Sequence, residues 1–157
     1  KDKCYCRTVG RRWTYPTMIT TFKGRNFYLS NYFTAPVNYD GITYQNNEAA
    51  FQAQKCIGYK DRMAFIGLPP NKAKAMGRRV KLRKDWEDVK NRIMYEICLA
   101  KFVQNKELRE ALLSTKDEEL IEGNTWDDTY WGMCNGKGLN MLGKTLMRVR
   151  SELRGDK

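Results

Sequence analysis

The longest stretch of helical periodicity lies in the middle of the chain, and it constrains the fold more than any other feature. Trp86, Val89, Ile93, Ile97 and Ala100 recur at the spacing of one helix face, with Asp85 at the N-cap position and Asp88 three residues on. A central helix over Asp85 to Val103 is predicted, and other elements must pack on its apolar stripe. Before it, the first 45 residues read as short strands and turns: Met18 to Phe22, Phe27 to Leu29, Val37 to Tyr39 and Ile42 to Tyr44. Asp40-Gly41 joins the last two as a hairpin. Helices then dominate. One is capped by Asn46 or Asn47 and runs to about Cys56, a second spans Asp61 to Ile66 and stops at Gly67, and a third enters through Pro69-Pro70 and ends at Gly77. Beyond the central helix come a helix over Leu108 to Leu113, a strand over Glu119 to Glu122 and an aromatic, glycine-rich loop from Asn124 to Gly138. Leu139 to Leu153 reads as a last amphipathic helix. Strands and helices do not alternate regularly, so the expected fold class is α+β: a single helix-rich domain with a small N-terminal antiparallel sheet.

Composition narrows the chemistry. A chain of 157 residues allows one domain and enough core to fold without metal or disulfide help. It contains no histidine, which excludes Ser-His-Asp and Cys-His nucleophile systems, His-ligated zinc and any imidazole proton shuttle. Acid and base work must therefore fall to carboxylates, Lys, Tyr or Cys. The five cysteines, at 4, 6, 56, 98 and 134, form no CxxC pair and suggest reduced thiols. Cys4-Tyr-Cys6 is a weak metal candidate, because closed zinc sites use paired, turn-like spacings. No apolar run approaches a membrane span and no signal segment is visible, so the expected setting is cytoplasmic, with no membrane partner.

The balance of 29 Lys and Arg against 18 Asp and Glu gives +11 and predicts an anionic partner without choosing one. Its densest patch is Arg78, Arg79, Lys81, Arg83 and Lys84, which also reads as a solvated edge segment. One motif looks decisive and is not. Gly138-Leu-Asn-Met-Leu-Gly143-Lys144-Thr145 satisfies the phosphate-loop pattern, yet only twelve residues follow Thr145, too few for the parallel-sheet domain such a loop opens. Leu139, Leu142, Leu146, Val149 and Leu153 instead make the buried stripe of the last helix. Gly136-Lys-Gly138 lacks the third glycine of a dinucleotide fingerprint.

Tyr44-Gln-Asn-Asn-Glu-Ala-Ala-Phe-Gln-Ala-Gln-Lys55 is more informative. On a helix, Glu48, Gln52 and Lys55 fall at i, i+4 and i+7, so a carboxylate, an amide and an amine share one face. Ala49, Ala50 and Ala53 leave room for close approach. The ordinary reading is also open: Glu48 in a first turn and Lys55 in a last turn both suit the helix dipole.

Further segments complete a pattern: Gly24-Arg-Asn-Phe-Tyr-Leu-Ser-Asn31, Gly77-Arg78, Asp85-Trp86 with Lys90, Lys101-Phe102, Leu120-Ile-Glu122, Asp128-Thr-Tyr-Trp-Gly132, Gly138-Leu-Asn140, Leu142-Gly143 and Leu146-Met147-Arg-Val-Arg150. With the Glu48 to Lys55 block, this order resembles the YbiA-like, or NADAR, family over about residues 20 to 153. Residues 1–19 match nothing in that pattern and are set apart as an extension, leaving residues 20–157 as the domain. The resemblance implies an N-glycosidase that splits phosphoribosylamino-pyrimidine intermediates of riboflavin biosynthesis or, alternatively, removes ADP-ribose from guanine in DNA or nucleotides. Its partners are then a phosphorylated ribosyl small molecule or ADP-ribose, and in the alternative ADP-ribosylated DNA. No metal and no cofactor is expected.

The resemblance also assigns roles. Glu48 is the first choice as acid or base. Lys55 matches the family's lysine and can attack C1 of the opened sugar as a Schiff-base nucleophile, or contact phosphate as a point charge. Asp128, in the DxxWG pattern, orients a ribose hydroxyl or the attacking water, with Asp127 a weaker substitute. Trp86 and Trp131 can stack on the heterocycle or fill the core. Gln52 and Glu122 are placed at the substrate, Glu122 as a supporting carboxylate or a loop cap. Arg78, Lys81, Ser30 and Asn31 are placed near phosphate, and Gly132 and Asn140 in a loop over the substrate. A different class of function, a basic nucleic-acid-binding module without chemistry, predicts that Glu48→Gln changes nothing.

Overall fold

The computed structural model describes residues 17–156, and the fold is organised around the long central helix. The Cys4-Tyr-Cys6 pair lies outside the described residues. The chain enters through β1 (Met18–Ile19) and a 3₁₀ turn (Gly24–Leu29), then forms the hairpin of β2 (Thr34–Tyr39) and β3 (Ile42–Asn46). The turn between them places Asp40 at φ 51° and Gly41 at φ 82°, the two left-handed residues of a tight hairpin whose twist matches its strands. Burial alternates along both strands, so Ala35 and Val37 from β2 and Ile42, Tyr44 and Asn46 from β3 face inward.

Asn46 ends β3 and caps α1 (Asn47–Ala53): its Oδ1 accepts the Ala49 N–H at 2.8 Å and its Nδ2 donates to the Leu68 carbonyl at 3.0 Å. Strand therefore passes into helix without a loop, and every residue of α1 is buried. α2 (Tyr59–Met63) and α3 (Pro70–Gly77) follow, the second opened by Pro70 at its first turn as expected. α4 (Trp86–Gln104) packs against α1 and β2, with Ile93, Ile97, Cys98 and Phe102 buried. α5 (Lys106–Ser114), β4 (Glu119–Leu120), β5 (Gly123–Asn124), β6 (Met133–Cys134) and α6 (Met141–Arg154) complete the order. α6 covers α4 with Leu142, Leu146 and Val149. Among the described residues the strands make three two-stranded sheets: parallel β1–β4, antiparallel β2–β3 and parallel β5–β6. This is the expected α+β class.

Several local expectations are corrected. Phe27 to Leu29 is not a strand: Gly24 at φ 55° turns the chain, and the Ser30 N–H closes on the Phe27 carbonyl at 2.9 Å, giving a 3₁₀ turn that buries only Leu29. The strand expected over Met18 to Phe22 shrinks to two residues, whose partner is β4, a hundred residues on. Thr17 also joins this contact, its Oγ1 donating to Glu118 at 2.8 Å. α1 stops at Ala53, so Lys55 sits in the tight turn beyond the helix, with its N–H on the Gln52 carbonyl at 3.2 Å. Asp85 occupies the N-cap position of α4 but makes no capping bond, because Arg83 takes both of its carboxylate oxygens, at 2.6 and 3.0 Å. Leu139 precedes α6 and is 51% exposed, outside the buried stripe.

The phosphate-loop look-alike is spent on packing. Gly143 lies inside α6, where a Cβ would come within 2.1 Å of the Leu120 carbonyl oxygen, and Thr145 donates its hydroxyl back to Met141 at 2.7 Å. Among the described residues, no helix is long and apolar enough to cross a membrane.

Candidate active site

A cleft of about 790 Å³ opens where α1, α3, the start of α4, the Ser30–Tyr32 turn and the loop from Glu122 to Trp131 meet. The α1 wall carries the first group. Glu48 is 8% exposed, and burial pushes its carboxyl up; a hydrogen bond from Gln52 and the charges of Lys74 and Lys55 oppose that rise, while Asp128 adds to it. Gln52 sits one turn along and donates its Nε2 to Glu48 Oε1 at 2.9 Å. Room for that amide comes from Gly77 in α3, where a Cβ would lie 1.9 Å from Gln52 Oε1. Lys55, half-buried, has its amine lowered by burial first; Glu48 opposes the shift and Arg78 and Lys74 reinforce it. Its carbonyl accepts the Arg83 N–H at 2.9 Å, which pins the turn, and its Nζ stands 5.8 Å from the Trp86 ring centre.

The second wall is the loop. Burial, then Asp128 and Glu48, push the Glu122 carboxyl up to about 7 against the opposing charge of Lys74. The Glu122 backbone is clamped on both sides: its N–H donates to Asn140 Oδ1 at 3.0 Å and its carbonyl accepts the Met133 N–H at 2.9 Å. Asn140 Nδ2 also donates to the Leu120 carbonyl at 2.9 Å, tying the end of β4 to the start of α6. At Gly132 a Cβ would meet the Glu122 carbonyl oxygen at 2.2 Å, so only glycine lets this strand approach. Asp128 is fixed by its own turn. Its Oδ1 accepts the N–H groups of Tyr130 at 3.1 Å and Trp131 at 2.9 Å, and its N–H donates to Asn124 Oδ1 at 3.1 Å. Trp131 stands edge-on to Phe51, ring centres 5.4 Å apart.

The third wall is the turn after the 3₁₀ segment. The Ser30 hydroxyl accepts the Tyr32 N–H at 3.1 Å, and the buried Asn31 accepts the Glu48 N–H on its carbonyl at 3.1 Å and Asn47 Nδ2 on its Oδ1 at 3.3 Å.

Ser30, Asn31, Glu48, Gln52, Lys55, Arg78, Trp86, Glu122, Asp128 and Trp131 thus meet in one cleft, and Asp127 lies at its edge. Gly132 and Asn140 do not line it; they hold Glu122 from behind, Asn140 through the Glu122 N–H and Gly132 by close approach to the Glu122 carbonyl. Lys81 lines a separate groove with Cys56, Leu82 and Lys84 and does not line this cleft. Trp86 and Trp131 pack on Phe51 and also line the cleft. Lys74 was not singled out by sequence, although it lies one turn before Arg78 on α3 and acts on both glutamates. Exposed Phe27, Tyr32 and Trp126 at the mouth were also missed. Among the described residues, no group of three or more His, Cys, Asp or Glu is gathered as a metal site.

This arrangement sets carboxyls that hold protons beside an amine of lowered proton affinity, with Lys74 and Arg78 at hand for an anionic group. Comparison with known proteins adds the following. The profile of the NADAR domain matches residues 14–154. An N-glycosidase of Nostoc punctiforme is 41% identical over 133 residues, covering 80% of this chain and 85% of that one. The N-glycosidase YbiA of Escherichia coli strain K12 is 42% identical over 130 residues, covering 80% of each chain. A chloroplastic riboflavin biosynthesis protein, PYRR, of Arabidopsis thaliana is 41% identical over 118 residues, 67% of this chain and 20% of that longer protein. The solution NMR structure of Escherichia coli YbiA superposes with a TM-score of 0.81 at 37% identity, covering 91% of this chain and 88% of that one.

Proposed function

The chain belongs to the NADAR domain family, and we propose that it acts as an N-glycosidase on the C1–N bond of a ribosyl-phosphate N-glycoside, with phosphoribosylamino-pyrimidines of riboflavin biosynthesis as the substrate class. Its relatives over four-fifths of its length are N-glycosidases, so it is a hydrolase of N-glycosyl bonds. The pyrimidine reading draws support from the plant relative, which is named for riboflavin biosynthesis.

The observation that carries the reading is the meeting of two carboxyls whose proton affinity is raised, buried Glu48 and partly buried Glu122, with an amine whose proton affinity is lowered, Lys55. Glu48 protonates the departing nitrogen as the C1–N bond breaks, and the carboxylate it leaves supports positive charge on the sugar. Asp128, held by two backbone N–H groups, orients the sugar hydroxyl or the water. That water adds its oxygen to C1 and returns a proton to Glu48, so one water is consumed and the free amine and ribosyl phosphate leave. In the covalent variant, neutral Lys55 attacks C1 of the ring-opened sugar, expels the protonated base as an imine forms, and is released by water. Arg78 and Lys74 receive the phosphate, and Trp86 and Trp131 flank the base.

Borohydride trapping with ribose 5-phosphate derivatives and ADP-ribose tests both routes. A stable adduct at Lys55 supports the imine. Full turnover without an adduct retires the imine and keeps the hydrolase, and no cleavage of any ribosylated base ends the reading.

The ADP-ribosyl alternative is favoured by the mouth of the cleft, where exposed Phe27, Tyr32 and Trp126, with Lys23 Nζ 6.0 Å from the Trp126 ring centre, offer stacking surface beyond what a single ribosyl base needs. Replacing Arg83 and Lys84 separates the two: a loss confined to DNA-borne ADP-ribose supports the alternative.

A further inference from the structure

We propose that Lys101 is a positioning residue of this cleft: its buried ammonium holds the turn that presents Ser30 and Asn31, and through Asn31 it sets where Glu48 stands. The proposal rests on the reading of the cleft given above.

Lys101 occupies a core position of α4. It falls one turn after Ile97 on the buried face and is 1% exposed, where an aliphatic residue would pack without desolvating a charge. Among the described residues, no carboxylate pairs with it. Its Nζ instead donates to two carbonyls, Tyr28 at 2.6 Å and Ser30 at 3.1 Å, between the rings of Phe33 and Phe102, whose centres lie 5.5 and 5.2 Å away. A charged group retained at such a cost, with only backbone oxygens as partners, is spent on the conformation of that backbone.

The carbonyls it holds are significant. Tyr28 lies at the end of the 3₁₀ turn, where carbonyls lack a partner within the turn, and Ser30 begins the bend into the cleft. Asn31 is next in the chain and is bonded twice to the first turn of α1: its carbonyl accepts the Glu48 N–H, and its Oδ1 accepts Asn47 Nδ2. The path from Lys101 to Glu48 is therefore Nζ to the Ser30 carbonyl, one peptide unit to Asn31, and one hydrogen bond to the Glu48 backbone. A shift of this turn moves the Ser30–Asn31 wall and the carboxyl together, and small displacements of a reacting group are expensive in rate.

The groups next to Lys101 keep their protons through neutral pH, while Glu122, which acts on neighbouring Cys98, changes charge at a lower midpoint, about 7. Cys98, one turn earlier on α4, has its thiol pushed up to about 12, and the Tyr28 phenol is also raised, its hydroxyl donating to Ala111 with Glu118 and Arg150 nearby. Burial lowers the Lys101 amine itself to about 8.

The test is an amide NMR titration of the ligand-free protein from pH 6.5 to 9.5, so a protein that cleaves no ribosylated base can still pass or fail it. The expected result is that the amides of Ser30 to Tyr32 and Glu48 shift together with a midpoint near that of the Lys101 side chain, about 8, and do so in Lys55→Met and in Glu122→Gln as well, the second removing the carboxyl that titrates at about 7. In Lys101→Met those amides are displaced at neutral pH and lose the transition near 8, and kcat falls about tenfold or more. Amides that stay flat while Lys101 titrates overturn the proposal, as does a folded Lys101→Met protein with wild-type shifts at these positions and wild-type kcat. If Lys101→Met does not fold, the wild-type titration decides alone.

Discussion

Glu48 and Lys55 reach the cleft from eight consecutive residues aligned by one helical segment and its closing turn, whereas Glu122 and Asp128 reach it from a loop held in shape by residues well along the chain. The α1 wall needs little beyond its own periodicity, the Asn46 cap and small neighbours. The loop wall needs Asn140 at the entrance of α6, Gly132 against the Glu122 carbonyl and Gly143 against the Leu120 carbonyl. The difference teaches where mutations separate side chain from scaffold: on α1 the polar side chains that face the cleft can be altered without disturbing the frame, while in the loop the frame itself is the vulnerable part.

The largest effect should come from the α1 wall. Glu48→Gln should lower kcat by about 10²–10⁴-fold while ligand binding and unfolding midpoint stay close to wild type, measured by product release beside calorimetric titration. Unchanged turnover would assign the acid–base role to the loop wall and invert the comparison. Gly132→Ala is the counterpart on the loop side. Its Cβ would sit 2.2 Å from a backbone oxygen that cannot swing away, so stability should drop by about 1–3 kcal/mol and activity by about 10²-fold through displacement of Glu122. Denaturant midpoints and kcat measured on the same sample decide whether the two losses travel together.

Next is the pH dependence of Glu122. Its folded-state carboxyl stands at about 7, above the unfolded value of 4.5, so the folded protein binds the extra proton between those limits and loses stability as pH rises through that window. Glu122→Gln should remove most of that decline and leave the variant more stable than wild type by on the order of 2 kcal/mol at pH 8, read from denaturation curves at pH 5 and pH 8. A wild-type midpoint that does not fall across this range would contradict the assigned shift. The smallest effect is expected at Gly77→Ala. Here the obstructed atom, Gln52 Oε1, belongs to a side chain that can rotate, so the fold should hold while Glu48 loses its amide donor. The activity–pH midpoint of Glu48 should then move upward and kcat fall about tenfold, roughly one hydrogen bond to a charged group.

How legible each wall was follows from the same contrast. A cap at Asn46 or Asn47, the shared face of Glu48 and Gln52, and the Asp40-Gly41 turn are readable because each is settled within a few residues; the structure selects Asn46. Lys55 reached the cleft although α1 closes early, since the turn after Ala53 keeps the chain coiling in the same sense. Gly132 and Asn140 were recognisable as a pattern but misplaced over the substrate, because their partner Glu122 lies 18 residues from Asn140 and nothing local points to it. Lys74 was overlooked since a lysine on a short polar helix looks solvated until the carboxyls it faces are in place. Phe27 to Leu29 carried strand-like residues into a 3₁₀ turn, because Gly24 and the Ser30 bend overrule propensity over so short a stretch.

Residue type and short-range spacing determined that this protein works without imidazole, that a hairpin feeds a capped helix, and that an acid, an amide and an amine are presented together; each is decided by backbone energetics over one or two turns. Only the tertiary structure decided that Glu122 holds its proton to about 7, that Lys101 is buried with no carboxylate partner among the described residues, and that Gly132 and Gly143 brace the site from behind. Desolvation and charge proximity depend on what distant segments bring around a side chain, and spacing along the chain carries no record of that.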